Sequence, residues 1–258
     1  MSRDTGAGLP SPSPSPTSSS HSRRVCLESP SFRAPFSEDH FLAVCREVAK
    51  SREAATGSWQ LMADSAGFSI YRMLDEKSGL YEYKVYSYLS DCSPELCADV
   101  YMDLNYRKKW DQYLREMCEK NLDGRTVIYW ELKFPFPLAN RDYVFIRERQ
   151  DMEVDGEKIY VILAKSVSTS KFPEKPGIVR VKNYKQSVAF QSDGKKGTKV
   201  FMWYFDDPGG KVPPWLVNWA TKVNRMGAKW LGPTNNSFST DGITIIFITK
   251  CWKRKSQA

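Results

Sequence analysis

Seven aromatic residues in strand-like segments give the strongest chemical signal in the chain: Tyr129, Trp130, Tyr143, Tyr160, Tyr184, Trp203 and Tyr204. They alternate with polar or aliphatic neighbours, which turns many of them toward one face of a sheet. For any single ring, ordinary core packing accounts for the pattern. A sheet rich in Tyr and Trp also suits a cavity for an amphipathic ligand, because each of these rings carries a polar tip that needs a partner. The second signal is a pair. Arg107 and Asp111 stand four apart, on one face if Tyr106–Glu119 is helical. Such a pair is either an exposed salt bridge or an arginine held by its carboxylate with its fork ready for a phosphate.

Other chemistries lack material. His21, in a Ser-rich stretch, and His40, just behind a helix cap, are the whole imidazole supply. A Ser-His hydrolase, a His-ligated metal site or a His general base has almost nothing to work with. Six scattered cysteines without a CxxC pair read as small buried hydrophobes. The run Gly194–Lys199 superficially resembles a phosphate loop but lacks its spacing and its strand-loop-helix context, so it reads as a hairpin turn. Asn235-Asn236-Ser237 is a formal glycosylation sequon, inert outside the secretory pathway. The expectation is a protein that is not an enzyme, with no metal and no cofactor.

The 258 residues are 41% hydrophobic and 13% aromatic, enough for a sizeable core. The net charge of +8 sits at the ends: residues 1–36 carry +2, residues 222–258 carry +6, and the body between sums to zero. A neutral body argues against nucleic acid as a partner. The apolar run Ile243–Ile248 is too short to span a bilayer, and the first apolar cluster follows a Pro/Ser tract, so no signal peptide is expected and the expected location is cytoplasmic. Residues 1–35 hold PSPSPSPTSSSHSRR and are expected to be disordered; the alternating prolines argue against the amphipathic helix of a transit peptide. At the other end, Lys250, Lys253, Arg254 and Lys255 surround Trp252. They form either a solvated tail or a membrane-surface anchor.

The elements that must position these residues are legible in outline. Ser37 caps a helix with Phe41, Val44, Cys45 and Val48 at helical spacing. Strands are expected at Trp59–Ala63, Phe68–Leu74 and Leu80–Leu89, with a turn at Asp75–Gly79. Ser93-Pro94-Glu95 opens a second helix, and a further helical piece covers about Tyr106–Glu119. Strands follow at Thr126–Phe134, Asp142–Gln150, Lys158–Ser168, Gly177–Tyr184, Ser187–Ser192 and Lys199–Phe205. Asp155-Gly156 and Ser192-Asp193-Gly194 make tight turns. Pro213-Pro214-Trp215 opens a last helix. The fold class is α+β, a large antiparallel sheet with helices early, midway and late.

The stretches SIYRMLDEKSGLYEYKVY (Ser69–Tyr86), YRKKWDQY (Tyr106–Tyr113), YWELKFPFPLANRDYVFIRER (Tyr129–Arg149), VKNYKQS (Val181–Ser187), SDGKKGTKVFMWYFDDPGG (Ser192–Gly210) and VPPWLVNWA (Val212–Ala220) resemble the steroidogenic-acute-regulatory-related lipid transfer (START) family. Within it they are most similar to the stand-alone members that carry phosphatidylcholine. The resemblance covers Phe36–Lys222. It implies a START-type helix-grip fold over 36–222, in which a curved antiparallel sheet and a long C-terminal helix enclose a tunnel for one lipid. It implies non-catalytic binding of a single phosphatidylcholine and its transfer between membranes, by a monomer that touches membrane surfaces transiently. An acyl-CoA thioesterase is a partner implied by the family alone. The residues implied are Trp130, Tyr143 and Tyr184 as a choline cage and Arg107 on the phosphate. Tyr101 and Gln186 follow as neutral donors, with Asp111 orienting and balancing Arg107. After Ala220 the chain departs from the family's long closing helix: Gly232-Pro233 and Asn235-Asn236 break any helix, leaving 223–258 as a divergent basic tail. The alternative function is a lipid-sensing interaction module with little transfer activity, because that closing helix is replaced.

Overall fold

A computed structural model of the chain describes residues 34–50, 57–65, 68–134 and 136–209. The expected first helix is α1, Glu38–Ala49, and the four apolar residues at helical spacing are its buried face. His40 belongs to its first turn, where the Ser37 backbone N–H donates to His40 Nδ1 at 3.4 Å.

Three strands follow, β1 (Gln60–Ser65), β2 (Phe68–Asp75) and β3 (Leu80–Leu89). The turn between the last two closes by a 2.8 Å bond from Gly79 N–H to the Asp75 carbonyl. Helix α2 (Pro94–Met102) begins with Ser93 Oγ accepting from the Leu96 N–H, and the short α3 (Leu104–Lys108) with Asp103 accepting from the Tyr106 N–H. The remaining strands are β4 (Leu114–Leu122), β5 (Arg125–Leu132), β6 (Asn140–Val154), β7 (Glu157–Ser166), β8 (Ile178–Val181), β9 (Tyr184–Ser192) and β10 (Thr198–Asp206). Their order is β1-β2-β3-β10-β9-β7-β6-β5-β4, antiparallel throughout, while β8 lies parallel to the first residues of β6. The sheet is not closed into a barrel.

Three expectations need correction. The helix expected over Tyr106–Glu119 stops at Lys108, and Leu114–Leu122 is a strand paired with β5. The cause is the Asp123-Gly124 turn, whose φ values of 51° and 77° suit a tight hairpin and fold β4 back on β5. Pairing across that hairpin overrides the helical spacing. The strand expected at Gly177–Tyr184 is split. β8 ends at Val181, and Ser166 Oγ fills the break by donating to the Lys182 carbonyl and accepting from the Tyr184 N–H. The third concerns the aromatic residues, which divide between the two faces of the sheet.

That division follows from the period of two along each strand. Val127, Tyr129, Val144, Ile146, Ile159, Val161, Leu163, Ala189 and Phe201 pack with α1, and Trp203 joins them. The alternate residues face the other way. Tyr160, Ile162, Val188, Phe190 and Met202 pack with α2, and beside them Trp130, Tyr143, Phe145, Tyr184 and Tyr204 form a separate cluster. Tyr129 and Trp130 are neighbours in sequence and lie on opposite faces. The expected helix at Pro213-Pro214-Trp215 and the divergent tail lie outside the described residues, as does the Pro/Ser tract.

Candidate functional site: an aromatic and charged cluster on the α2 face

Trp130 and Tyr143 are cross-strand partners in the register of β5 and β6, and their rings stand 6.0 Å apart. Tyr143 meets Tyr184 edge-on at 5.5 Å, and Tyr184 meets Tyr204 at 5.9 Å. Phe145 closes the group against Trp130 and Tyr184. The three residues proposed as a cage are thus contiguous, and all are buried. Tyr184 meets its neighbours edge-on and Trp130 meets Tyr143 at a tilt of 41°, and π faces are what a cation without N–H groups requires.

Arg107 enters this cluster from the end of α3. Its guanidinium lies 4.5 Å from the Trp130 ring centroid and 5.3 Å from that of Trp110. Although the expected long helix is absent, Arg107 and Asp111 still meet, with Nε donating to Oδ2 at 3.3 Å. The turn after α3 keeps them together: the Asp111 N–H donates to the Arg107 carbonyl, and Asp111 Oδ1 accepts from the Tyr113 N–H at 3.1 Å. Arg107 is 5% exposed and Asp111 7%, so this is a buried ion pair and the exposed salt bridge is excluded. Removing one partner of such a pair strands a buried charge. Arg107 Nη2 and Trp130 Nε1 are both buried with no hydrogen-bond partner among the described residues. Two unspent donors on touching side chains are a ready recognition element for an anionic oxygen.

Gln186 ties the cage to α2. Its Oε1 accepts from the hydroxyls of both Tyr101 and Tyr184, and its Nε2 donates to the weak acceptor Met202 Sδ at 3.4 Å. Burial pushes the Tyr184 hydroxyl well above its usual range, so it stays a proton donor. All seven residues that the family resemblance implied therefore meet in one region.

Two residues in that region, Arg147 and Asp206, were not singled out, and Tyr204 was named only as part of the aromatic signal. Arg147 on β6 donates from Nη1 and Nη2 to the carbonyls of Tyr101 and Met102, at 2.9 and 2.8 Å. It caps the C-terminus of α2 with a half-buried positive charge, which suits the helix dipole. Desolvation lowers its pKa, with Arg107 among the further causes. Tyr204 and Asp206 lie on β10, with Asp206 accepting the Tyr143 and Tyr204 hydroxyls at 2.9 and 2.7 Å. The sequence signal was available: Met202, Tyr204 and Asp206 share one face of a strand, so the carboxylate ends an apolar row.

The fold, a large antiparallel sheet with a few flanking helices, is that of the helix-grip class. Residues 40–229 match the family model "START domain", and the chain belongs to the START family. It is 59% identical over 190 residues to the phosphatidylcholine transfer protein of Rattus norvegicus, covering 73% of this chain and 88% of that protein. The Homo sapiens phosphatidylcholine transfer protein is 56% identical over 187 residues, covering 72% and 87%. Among solved structures, human STARD10 superposes with a TM-score of 0.65 at 24% identity, over 87% of this chain and 83% of that one, a likeness of fold.

Proposed function

We propose that the protein binds one phosphatidylcholine on the α2 face of the sheet and carries it between membranes without chemical change. The observation that carries this reading is the contact of Arg107, paired with buried Asp111, with the face of Trp130 beside Tyr143 and Tyr184. An anion-binding fork and an aromatic surface for a quaternary ammonium touch, as phosphate and ammonium nearly do in a headgroup joined by one ethylene link. The names of the similar rat and human proteins support the same ligand.

The lipid-binding domain is assigned to 36–222, and a cytosolic monomer touching membranes peripherally is the setting this function needs. No helix among the described residues is long and apolar enough to cross a membrane. Phe136 is 95% exposed in the connection between β5 and β6, the strands that carry Trp130 and Tyr143. An exposed aromatic ring there is placed to dip into a bilayer surface while a headgroup passes.

The test is transfer of labelled phosphatidylcholine between donor and acceptor vesicles by purified protein. Transfer that depends on protein concentration, with the lipid recovered intact, supports the reading. Absence of transfer, or hydrolysed lipid, overturns it.

A further inference from the structure

Four carboxylates are buried among the described residues: Asp111, Glu131, Asp142 and Asp206. Three of them face a cation. Asp111 has Arg107, Glu131 has Arg115 and Lys175, and Asp142 has Arg180 on both oxygens at 2.7 and 2.9 Å. Asp206 has none within ion-pair distance among the described residues. Arg141 is near enough to act on it electrostatically, but donates to the carbonyls of Ala139, Pro208 and Gly209 and lies over the Phe134 ring. Asp206 is held by two tyrosine hydroxyls instead, and both of those rings pack on Tyr184.

A buried carboxylate without a counter-ion is costly, and burial raises the pKa of Asp206 despite its two donors. A fold retains such a group where a cation arrives from outside. We propose that Asp206 is the fixed anion of the choline subsite, and that it, rather than the rings alone, sets the preference for a positively charged headgroup. This rests on the cage reading above and deepens it. A quaternary ammonium has no N–H to give a carboxylate, so no hydrogen bond can fix it there and only charge and π surface act on it. A charge one ring behind the π surface acts through space in a low-dielectric site, and a phenol donating its proton to that charge presents a more electron-rich face. The cage then reads the methyl groups and Asp206 reads the charge.

The probes are phosphatidylcholine and the 3,3-dimethylbutyl phosphatidyl ester, which replaces the positively charged nitrogen by an uncharged carbon at nearly constant shape and keeps the phosphate. The readout is the ratio of their affinities for the full-length protein. In Asp206→Asn the amide oxygen still accepts from Tyr143 and Tyr204 but the charge is gone, and the ratio should fall about tenfold. In Trp130→Ala the affinity for both probes should drop. If the unaltered protein binds the two probes equally, the cage reading itself fails. If it prefers choline and Asp206→Asn keeps that preference, the cage stands and the role given to Asp206 is wrong. Acidifying the unaltered protein gives a second arm that requires no variant to fold. The titratable and charged groups around Asp206 are Tyr143 and Arg141 on β6, Tyr184 on β9, Tyr204 on β10 and the following Asp207. The choline preference should fall as pH drops through the raised pKa of Asp206 and should do so unchanged in Asp207→Asn. A preference that stays level with pH, or a slope abolished in Asp207→Asn, overturns the proposal.

Discussion

The guanidinium of Arg107 lies against the indole of Trp130, 4.5 Å from its centroid, although α3 and β5 bring the two residues from different parts of the chain. The contact joins the two halves of the proposed headgroup site. It also keeps the Arg107 charge partly solvated by a π face while Asp111 neutralises it, which eases the cost of burying an ion pair.

Substituting Trp130 tests the aromatic half. Trp130→Ala should weaken phosphatidylcholine binding by ~1–2 kcal/mol beyond any loss of folding, the worth of a desolvated cation–π contact. Equilibrium competition between phosphatidylcholine and phosphatidylethanolamine vesicles measures it, and the unaltered protein should favour the former. Equal binding of the two lipids would remove the cage as the source of selectivity.

Arg107→Lys tests the other half. It keeps the charge and loses the planar fork that reaches Asp111 and an anionic oxygen together, so lipid affinity should drop clearly. Asp111→Ala should be worse for the fold than for recognition alone, by ~3–5 kcal/mol, because it leaves Arg107 buried and unpaired. Chemical denaturation and lipid binding measured on the same samples separate the effects. Silence in both would mean that this pair has no part in the site.

Much of this was legible in the sequence. The first helix with its four buried residues and nearly every strand of the sheet are where the residue types placed them, whereas the residues of the proposed headgroup site came from the family resemblance. Residues 106–119 misled because Tyr106, Trp110 and Tyr113 sit at helical spacing, and only the Asp123-Gly124 turn a few residues on marks the hairpin that claims Leu114–Leu122 as a strand. Spacing within a segment cannot report a partner strand. The aromatic residues misled differently: composition identified them, but only the strand register shows that Tyr129 and Trp203 pack with α1 and play no part in the cage. Arg147 was missed because its role is to hold the carbonyls of Tyr101 and Met102, a contact between elements distant in sequence.

Two buried or half-buried acids give opposite pH dependence. Desolvation opposes ionisation of Glu47, but its hydrogen bonds to Lys50 and Lys84 win and hold its pKa below the usual carboxylate range. Its contribution to stability is present above the ordinary pKa and is lost as pH falls through the lowered one. Asp206 is raised, so its ionisation costs stability above its ordinary pKa, and that cost is relieved as pH falls through the raised value. Glu47→Gln should therefore shallow the acid loss of stability, whereas Asp206→Asn should leave the lipid-free protein at neutral pH no less stable than the unaltered one. Thermal melts across pH check both. A large drop in Tm for Asp206→Asn at neutral pH would mark Asp206 as a structural anchor instead.

Phe136 separates carrying from binding. Phe136→Asp should slow transfer between vesicles severalfold and leave the affinity for lipid in solution close to that of the unaltered protein, since the ring is exposed. Equal transfer rates would move the membrane contact elsewhere.

The central claim is that this chain selects and holds one phosphatidylcholine. Native mass spectrometry of protein incubated with vesicles of equal phosphatidylcholine and phosphatidylethanolamine content, then separated from them, tests it most directly. A single mass shift per chain that corresponds to phosphatidylcholine and is lost in Arg107→Ala is the expected result. Protein recovered empty, or carrying both lipids in the proportion offered, would contradict it.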